Sequence, residues 1–257
     1  MKTEISDRDY VNSLARGLEV IRAFTRSQPR MTLSEIARET GMTRATVRRF
    51  LLTLIREGYA ETDGKYFGLR PKVLELGYAA LSSLTFLDVV QPIMNRLADK
   101  LQESCLAAVL DDTEVVYVAA ASPPDRIVSI SVSVGSRSPA HAVSTGRVLI
   151  AALPEEEQNE YFEQATLEKL TPNTVTSKVK LRSLIEDTRV SGYCVVDQEL
   201  EIGLRSISVP VRDRSGKMLA ALNVACPSSR ITPEEMSSRI LLELQAAAQA
   251  ITSGLQR

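Results

Sequence analysis

TLSEIARETGMTRATVRRFLLTLIRE, residues 32–57, reads as two short helices joined by a tight turn. Thr32 caps the first, and Glu35, three residues on, completes a capping box. Leu33, Ile36 and Ala37 form its buried stripe. Gly41 ends it, because glycine enters the left-handed region without steric cost. Thr43 caps the second helix, in which Val47, Leu51, Leu54 and Ile55 recur at helical spacing and face inward. The opposite face carries Arg44, Thr46, Arg48 and Arg49. Cationic and hydroxyl groups so placed suit a helix that reads the major groove of DNA.

Taken alone, the stretch also fits an ordinary helical hairpin with a solvated face. The residues after it favour the first reading. Glu57-Gly58-Tyr59 leaves the helix, and Tyr59–Thr62 and Lys65–Leu69 flank Asp63-Gly64. Asp-Gly between two short extended runs signals a hairpin. A helix-turn-helix followed by a hairpin is a winged helix-turn-helix, with Lys65 at the wing tip near the phosphate backbone. Upstream, Asn12 or Ser13 is expected to cap a helix running to about Thr25, with Leu14, Leu18, Ile21 and Phe24 inward; Pro29 follows its end.

The 257 residues suffice for two modest domains, and 44% hydrophobic with 25% charged is ordinary for a globular chain. Residues 1–85 hold 14 Lys and Arg against 10 Asp and Glu, and the remainder 17 against 22. A mildly basic first part and an acidic second fit nucleic-acid binding by the first only. No apolar run is long enough to span a membrane, and the polar N-terminus lacks a signal core, so a cytoplasmic location without membrane attachment is expected. The three cysteines, Cys105, Cys194 and Cys226, lie far apart in apolar runs and read as core thiols. One histidine and no ligand spacing argue against a metal site.

From Pro71 a helix through Val73, Leu74, Gly77, Ala80 and Leu81 has too little apolar surface for its own core and reads as a linker. Asp88 is expected to cap a helix to about Gln102, with Pro92 in its first turn. The period then becomes strand-like: Ser104–Leu110 and Val115–Ala121 around Asp111-Asp112, then Ile127–Val134 in strict alternation. Helices follow over about Val143–Leu153, after Pro154, and over about Lys178–Ser191. Tyr193–Asp197, Leu204–Arg212 and Met218–Ala225 are strands. Thr232 and Glu235 box a final helix with Ile240, Leu244, Ala247, Ala248 and Ile251 on one stripe. The fold class is α+β: an antiparallel sheet covered by helices, preceded by the winged domain. Expected bounds are 1–70 for the DNA-binding domain, 71–86 for the linker and 87–257 for the C-terminal domain.

SPAHAVSTGRVLIAALP, Ser138–Pro154, resembles a signature of the IclR family of bacterial transcriptional regulators, and GYCVVDQELEIGLRSISVPV, Gly192–Val211, is similar to a second one. SLARGLEVIRAF, TRATVRRFLLTL, LRPKVLELGYAALSSL and ESCLAAVLD resemble its branch controlling the β-ketoadipate pathway. The resemblance implies a GAF-like effector domain, a homodimer or tetramer, operator DNA as partner and a small carboxylate effector such as protocatechuate, 4-hydroxybenzoate or β-ketoadipate. It places effector contacts at Ser138, Ser144, Thr145, Leu204, Ser206, Asn223 and Ala225. Val196 stands where some members carry an acidic residue, which leaves room for a larger, flatter ligand. DNA contacts are expected from Thr43, Arg44, Thr46, Arg48, Arg49 and Lys65.

His141, the only histidine, invites a catalytic reading beside Ser138 and Ser144. No orienting acid or nucleophile elbow accompanies it, so it is expected to frame the pocket loop instead, and no catalytic residue or cofactor is assigned. Arg137 and Arg205 could pair with a ligand carboxylate or could make surface ion pairs. The alternative function is an enzyme of aromatic-acid metabolism with an accessory helical domain; the basic face of the second helix argues against it. A repressor responding to no ligand would need a fully packed C-terminal half.

Overall fold

In a computed structural model, which describes residues 6, 9–25, 27–77, 86–123 and 132–255, the chain forms two compact units, 1–83 and 84–257. The first unit runs α1 (Asn12–Arg22), β1 (Arg30–Thr32), α2 (Leu33–Glu39), α3 (Arg44–Arg56), β2 (Ala60–Thr62) and β3 (Tyr66–Leu69). Thr32 and Glu35 make the expected capping box, Gly41 takes φ 65°, and Thr43 accepts the Thr46 N–H. Val20, Ile36, Val47 and Leu51 are fully buried together. The wing is a three-stranded antiparallel sheet in the order β1-β3-β2. β1 was not expected; it is the chain leaving α1, drawn into the sheet by pairing Met31 with Phe67.

The first helix departs from expectation. Val11 occupies its cap position with no side-chain hydrogen bond, so neither Asn12 nor Ser13 caps it. Leu14 and Leu18 are 64% and 45% exposed, and Val20 and Ala23 are buried instead. Gly17 of α1 faces Phe50 of α3 on the packed side of the helix. After β3, Pro71–Val73 is a 3₁₀ turn and residues 74–77 are helical. The rest of the expected linker helix, with Ala80 and Leu81, lies outside the described residues.

The second unit begins with α4 (Leu87–Leu101). Phe86, rather than Asp88, holds its cap position, and Asp88 sits in the first turn, where its charge suits the helix dipole. Pro92 therefore falls two residues deeper than expected, in the second turn. The sheet follows with β4 (Ser104–Asp111), β5 (Glu114–Ala121), β6 (Arg137–Pro139), β7 (Cys194–Asp197), β8 (Leu204–Arg212) and β9 (Met218–Pro227), all antiparallel in the order β6-β5-β4-β9-β8-β7. The strand expected over Ile127–Val134 falls on residues 127–131, outside the described residues, and on 132–134, which are not strand. The sixth strand is β6, whose short polar sequence hides it; it pairs with β5 at Val115 and Ser138.

Between β6 and β7 lie a 3₁₀ turn (Ala140–Ala142), α5 (Ser144–Ala151), α6 (Glu155–Gln164) and α7 (Lys178–Ser191). The chain closes with α8, whose first turn Pro233–Glu235 passes through a π turn, Met236–Ile240, into Leu241–Gly254. Strand alternation divides the core. Cys105, Ile207, Leu222 and Val224 face α4 and α8, while Leu106, Tyr117, Val196 and Ala221 face α5, α6 and α7. All three cysteines are buried free thiols, and burial pushes Cys105 up to about 12.

α5 lies closer to the chain before it than any side chain allows. A Cβ on Gly146 would stand 2.1 Å from the Ala140 carbonyl oxygen and 2.4 Å from its Cα. Backbone cannot swing aside as a side chain does, so Gly146→Ala should cost the second unit about 3 kcal/mol or more. Denaturant unfolding of the purified variant checks this; unchanged stability would mean that α5 is free to shift.

Candidate functional site

Two places bring polar side chains together for a purpose other than packing. The first is the outer face of α3. Arg44, Arg48 and Arg49 are exposed there, and none has an ion-pair partner among the described residues. Thr43 and Thr46 lie 2.9 Å apart through their hydroxyls at the helix start. On the wing, Asp63 accepts from the N–H groups of Lys65 and Tyr66 and pairs with Arg30 at 2.7 Å, which pins the turn. Lys65 lies over the Tyr66 ring, 5.1 Å from its centre. Arg16 of α1, which the sequence did not single out, joins Arg49, Thr46 and Thr53 around a cleft of about 350 Å³.

The second place is in the other unit, where the start of α5 meets the sheet. Ser144 Oγ lies 2.9 Å from Ser206 Oγ and 2.8 Å from Ser208 Oγ. The Asn223 amide donates to Ser144 at 3.0 Å, to Ser208 at 3.1 Å and to the Ile207 carbonyl at 3.2 Å. Beside this network is a chamber of about 20 Å³, lined by Leu106, Tyr117, Thr145, Val196, Ser206 and Asn223 among others. Val132, Leu200 and Leu204 line both the chamber and an outer cleft of about 450 Å³ that includes Arg137 and Ser138. No side chain caps α5, whose cap position is Val143. Thr145 Oγ1 and Tyr161 Oη are the buried side-chain polar atoms that complete no hydrogen bond among the described residues.

The loop between β7 and β8 supplies Leu200 to the chamber and is tied down from below. Arg147, 2% exposed, donates to Glu199 at 2.6 Å and to the His141 carbonyl at 3.0 Å. The Val175 N–H donates to the same Glu199 carboxylate, and Thr174 donates to the Glu199 carbonyl. His141 is buried against this pair. Its Nε2 lies 3.0 Å from the Glu168 carbonyl, so Nε2 carries the proton and donates it. Burial holds the ring's pKa below its ordinary 6.5, although the Glu168 contact pulls the other way.

The structure gathers Thr145, Leu204, Ser206, Asn223 and Ala225 around the chamber, sets Ser144 behind it, bonded to Ser206 and Asn223, and puts Ser138 at the outer cleft. It does not bring His141 or Arg205 there. Arg205 follows Leu204 and precedes Ser206 on one strand, so alternation sends it to the opposite face. There it grips Asp197 at 2.9 and 3.0 Å and donates to the carbonyls of Ser228 and Ile231. Arg137 reaches the cleft but is held by Asp111 and Glu114, each at 2.7 Å. Sequence reasoning missed Ser208, Tyr117 and the Arg147–Glu199 pair. Ser208 was legible: two residues past Ser206, it shares that face of the strand.

Two family models match the chain: an IclR helix-turn-helix domain over residues 13–64 and a bacterial transcriptional regulator IclR C-terminal domain over residues 78–253. The Pca regulon regulatory protein of Pseudomonas putida is 44% identical over 95% of this chain and 84% of its own length. The p-hydroxybenzoate hydroxylase transcriptional activator of Acinetobacter baylyi is 36% identical over 96% of this chain and 93% of its own. Among solved structures, an IclR homolog from Microbacterium hydrocarbonoxydans complexed with 4-hydroxybenzoate is 27% identical. It covers 95% of this chain and 99% of its own, with a TM-score of 0.82.

Two outcomes follow from this geometry. With α3 in a major groove, Arg44→Ala or Arg48→Ala should weaken cognate DNA by about 1–3 kcal/mol. Arg49→Ala should weaken all sequences alike and lower the salt slope by about one; anisotropy titrations across salt separate the two. For His141, a folded pKa below 6.5 means that only the unfolded ring gains a proton as pH first falls below 6.5. Stability of the second unit should therefore decline below that pH, and His141→Gln should flatten the decline in denaturant curves; an identical slope would contradict a buried neutral ring.

Proposed function

As the chain belongs to the IclR family of bacterial transcriptional regulators, we propose that its second unit senses a small aromatic acid in the chamber at the start of α5. The protein is a DNA-binding regulator of aromatic-acid catabolism, not an enzyme. The observation that carries the effector assignment is the cluster of Ser144, Ser206, Ser208 and Asn223 set into an otherwise apolar wall. Buried polar groups cost stability unless they are satisfied, and three of them, with half-buried Ser206, meet where a helix begins without a cap. A carboxylate there accepts hydrogen bonds and is favoured by the helix dipole.

A chamber of about 20 Å³ holds about one water, whereas ligand pockets span roughly 300–1,000 Å³. An aromatic ring therefore enters by displacing Leu200 and Leu204 toward the outer cleft. A ligand that selects this opened arrangement shifts the protein toward it, and the coupling to DNA is expected to be about 1–3 kcal/mol. We assign DNA contacts to Thr43, Arg44, Thr46, Arg48, Arg49 and Lys65, within a DNA-binding domain at 1–70. A linker at 71–86 joins it to an effector domain at 87–257. Two copies on a roughly palindromic operator supply the base contacts that one recognition helix lacks. The partners are thus operator DNA, a carboxylate effector and a second copy, with no cofactor. Access to the chromosome puts the protein in the cytoplasm; among the described residues no helix is long and apolar enough to cross a membrane.

Calorimetry with protocatechuate, 4-hydroxybenzoate and β-ketoadipate tests the reading. Wild type should give saturable heat with at least one. Ser206→Leu combined with Asn223→Leu should keep its circular dichroism and operator binding and lose that heat. A folded variant that binds as wild type does would place the pocket elsewhere.

A further inference from the structure

One wall of the chamber is bonded to the far side of the sheet through the Arg205 side chain. Leu204 lines the chamber, and Arg205, the next residue on β8, points to the opposite face with Ile207, toward α4 and α8. It is 7% exposed and makes four hydrogen bonds, two to the Asp197 carboxylate and two to the carbonyls of Ser228 and Ile231. Asp197 and Arg205 pair across β7 and β8 at the two ends of the loop that carries Leu200, so they close its base. The Gly203 carbonyl accepts from the Ser228 N–H at 2.7 Å. The loop at the chamber and the turn over 228–231 therefore move as one piece.

That turn leads to both helices. Arg230 lies 3.5 Å from Glu103, two residues past the end of α4. Thr232, which follows Ile231, caps α8. The π turn Met236–Ile240 comes next, and buried Met236 and Ile240 pack in the core that α8 shares with α4. A π turn holds one residue more than an α turn, which gives the helix a place to yield. In the last turn of α8, Gly254 lies against Val89 in the first turn of α4: a Cβ there would stand 2.6 Å from Val89 Cγ1. α4 is the helix at which the chain enters this unit.

We propose that Arg205 is the positioning residue that carries ligand entry from the chamber to α8 and α4, so that coupling between effector and operator depends on it. The proposal rests on the effector reading above, in which an aromatic acid displaces Leu200 and Leu204. A shift of Leu204 takes the start of β8 with it. Arg205 passes that shift to the turn over 228–231, and so to the cap of α8 and to Glu103 behind α4. A guanidinium suits the task, because one edge forks onto a carboxylate while its remaining N–H groups donate elsewhere in fixed directions. Stability alone gives no reason for the pair, since apolar side chains of similar volume replace a buried ion pair at little or no cost. Asp197, 39% exposed at its side chain, can be hydrated when the arginine is gone.

The test measures, on the full chain, the factor by which a saturating acid changes operator affinity. The acid is whichever of 4-hydroxybenzoate, protocatechuate and β-ketoadipate gives wild type saturable heat. Wild type should show a factor of about 5 to 150. Arg205→Met, which keeps the packing of the stem and loses the grip, should bring that factor close to one. It should still bind the acid without DNA, and operator without the acid, as wild type does. Arg205→Lys, which keeps the charge but cannot fork, should lower the factor part of the way. A folded Arg205→Met protein with the wild-type factor would overturn the relay and leave the effector reading standing. So would a variant that loses the acid itself, since that marks a role in shaping the chamber. Should Arg205→Met fail to fold, Arg205→Lys decides, and a wild-type factor there would overturn the relay. Wild type binding none of the three acids would overturn both readings.

Discussion

The approach of α5 to the turn before it is the constraint on which the effector unit depends. Gly146 lets the helix backbone sit against Ala140 with no side chain between them. That contact brings Ser144 and Thr145 down onto the sheet at the level of Ser206, Ser208 and Asn223. It also aims an uncapped helix start at the chamber. A helix that ends in buried surroundings ordinarily has its free N–H groups met by a capping side chain, as Thr32 and Thr232 do elsewhere in this chain. Here Val143 offers no such side chain.

One turn further along α5, Arg147 does the opposite kind of work. Its buried pair with Glu199, with the donors of Val175 and Thr174, holds down the loop whose Leu200 closes the chamber. A buried ion pair is costly to break by removing one partner, so this anchor fixes where the loop stands. The same short helix thus positions both the polar network around Ser144 and, through Glu199, the loop that carries Leu200 to the chamber. The DNA-binding unit is organised differently. Its cationic groups are exposed and its rigidity comes from caps, the Asp63 turn and a small core.

Much of this was legible in the sequence because local chemistry dictated it. Both capping boxes, the glycine after α2, the Asp-Gly wing turn and the alternation along β8 and β9 are short-range effects that tertiary packing did not override. Where reasoning failed, a long-range contact decided. Leu14 and Leu18 face outward because α1 packs through Val20 and Ala23 onto the core that α2 and α3 form. β1 and β6, three residues each, are strands only because β3 and β5 bind them. Tyr117 sits in an apolar run and reads as core until the sheet order places it over a cavity. Arg205 was the avoidable error, since alternation alone separates it from its neighbours Leu204 and Ser206.

The central claim is that a ligand in the chamber and DNA at α3 share one equilibrium. Linkage requires that each change the affinity of the other by the same factor. The direct measurement is a closed cycle: operator affinity of the full chain with and without saturating 4-hydroxybenzoate, and 4-hydroxybenzoate affinity with and without saturating operator. The account predicts equal factors, about 5- to 150-fold, on both sides. A ligand that binds the chamber and leaves operator affinity unchanged would contradict it.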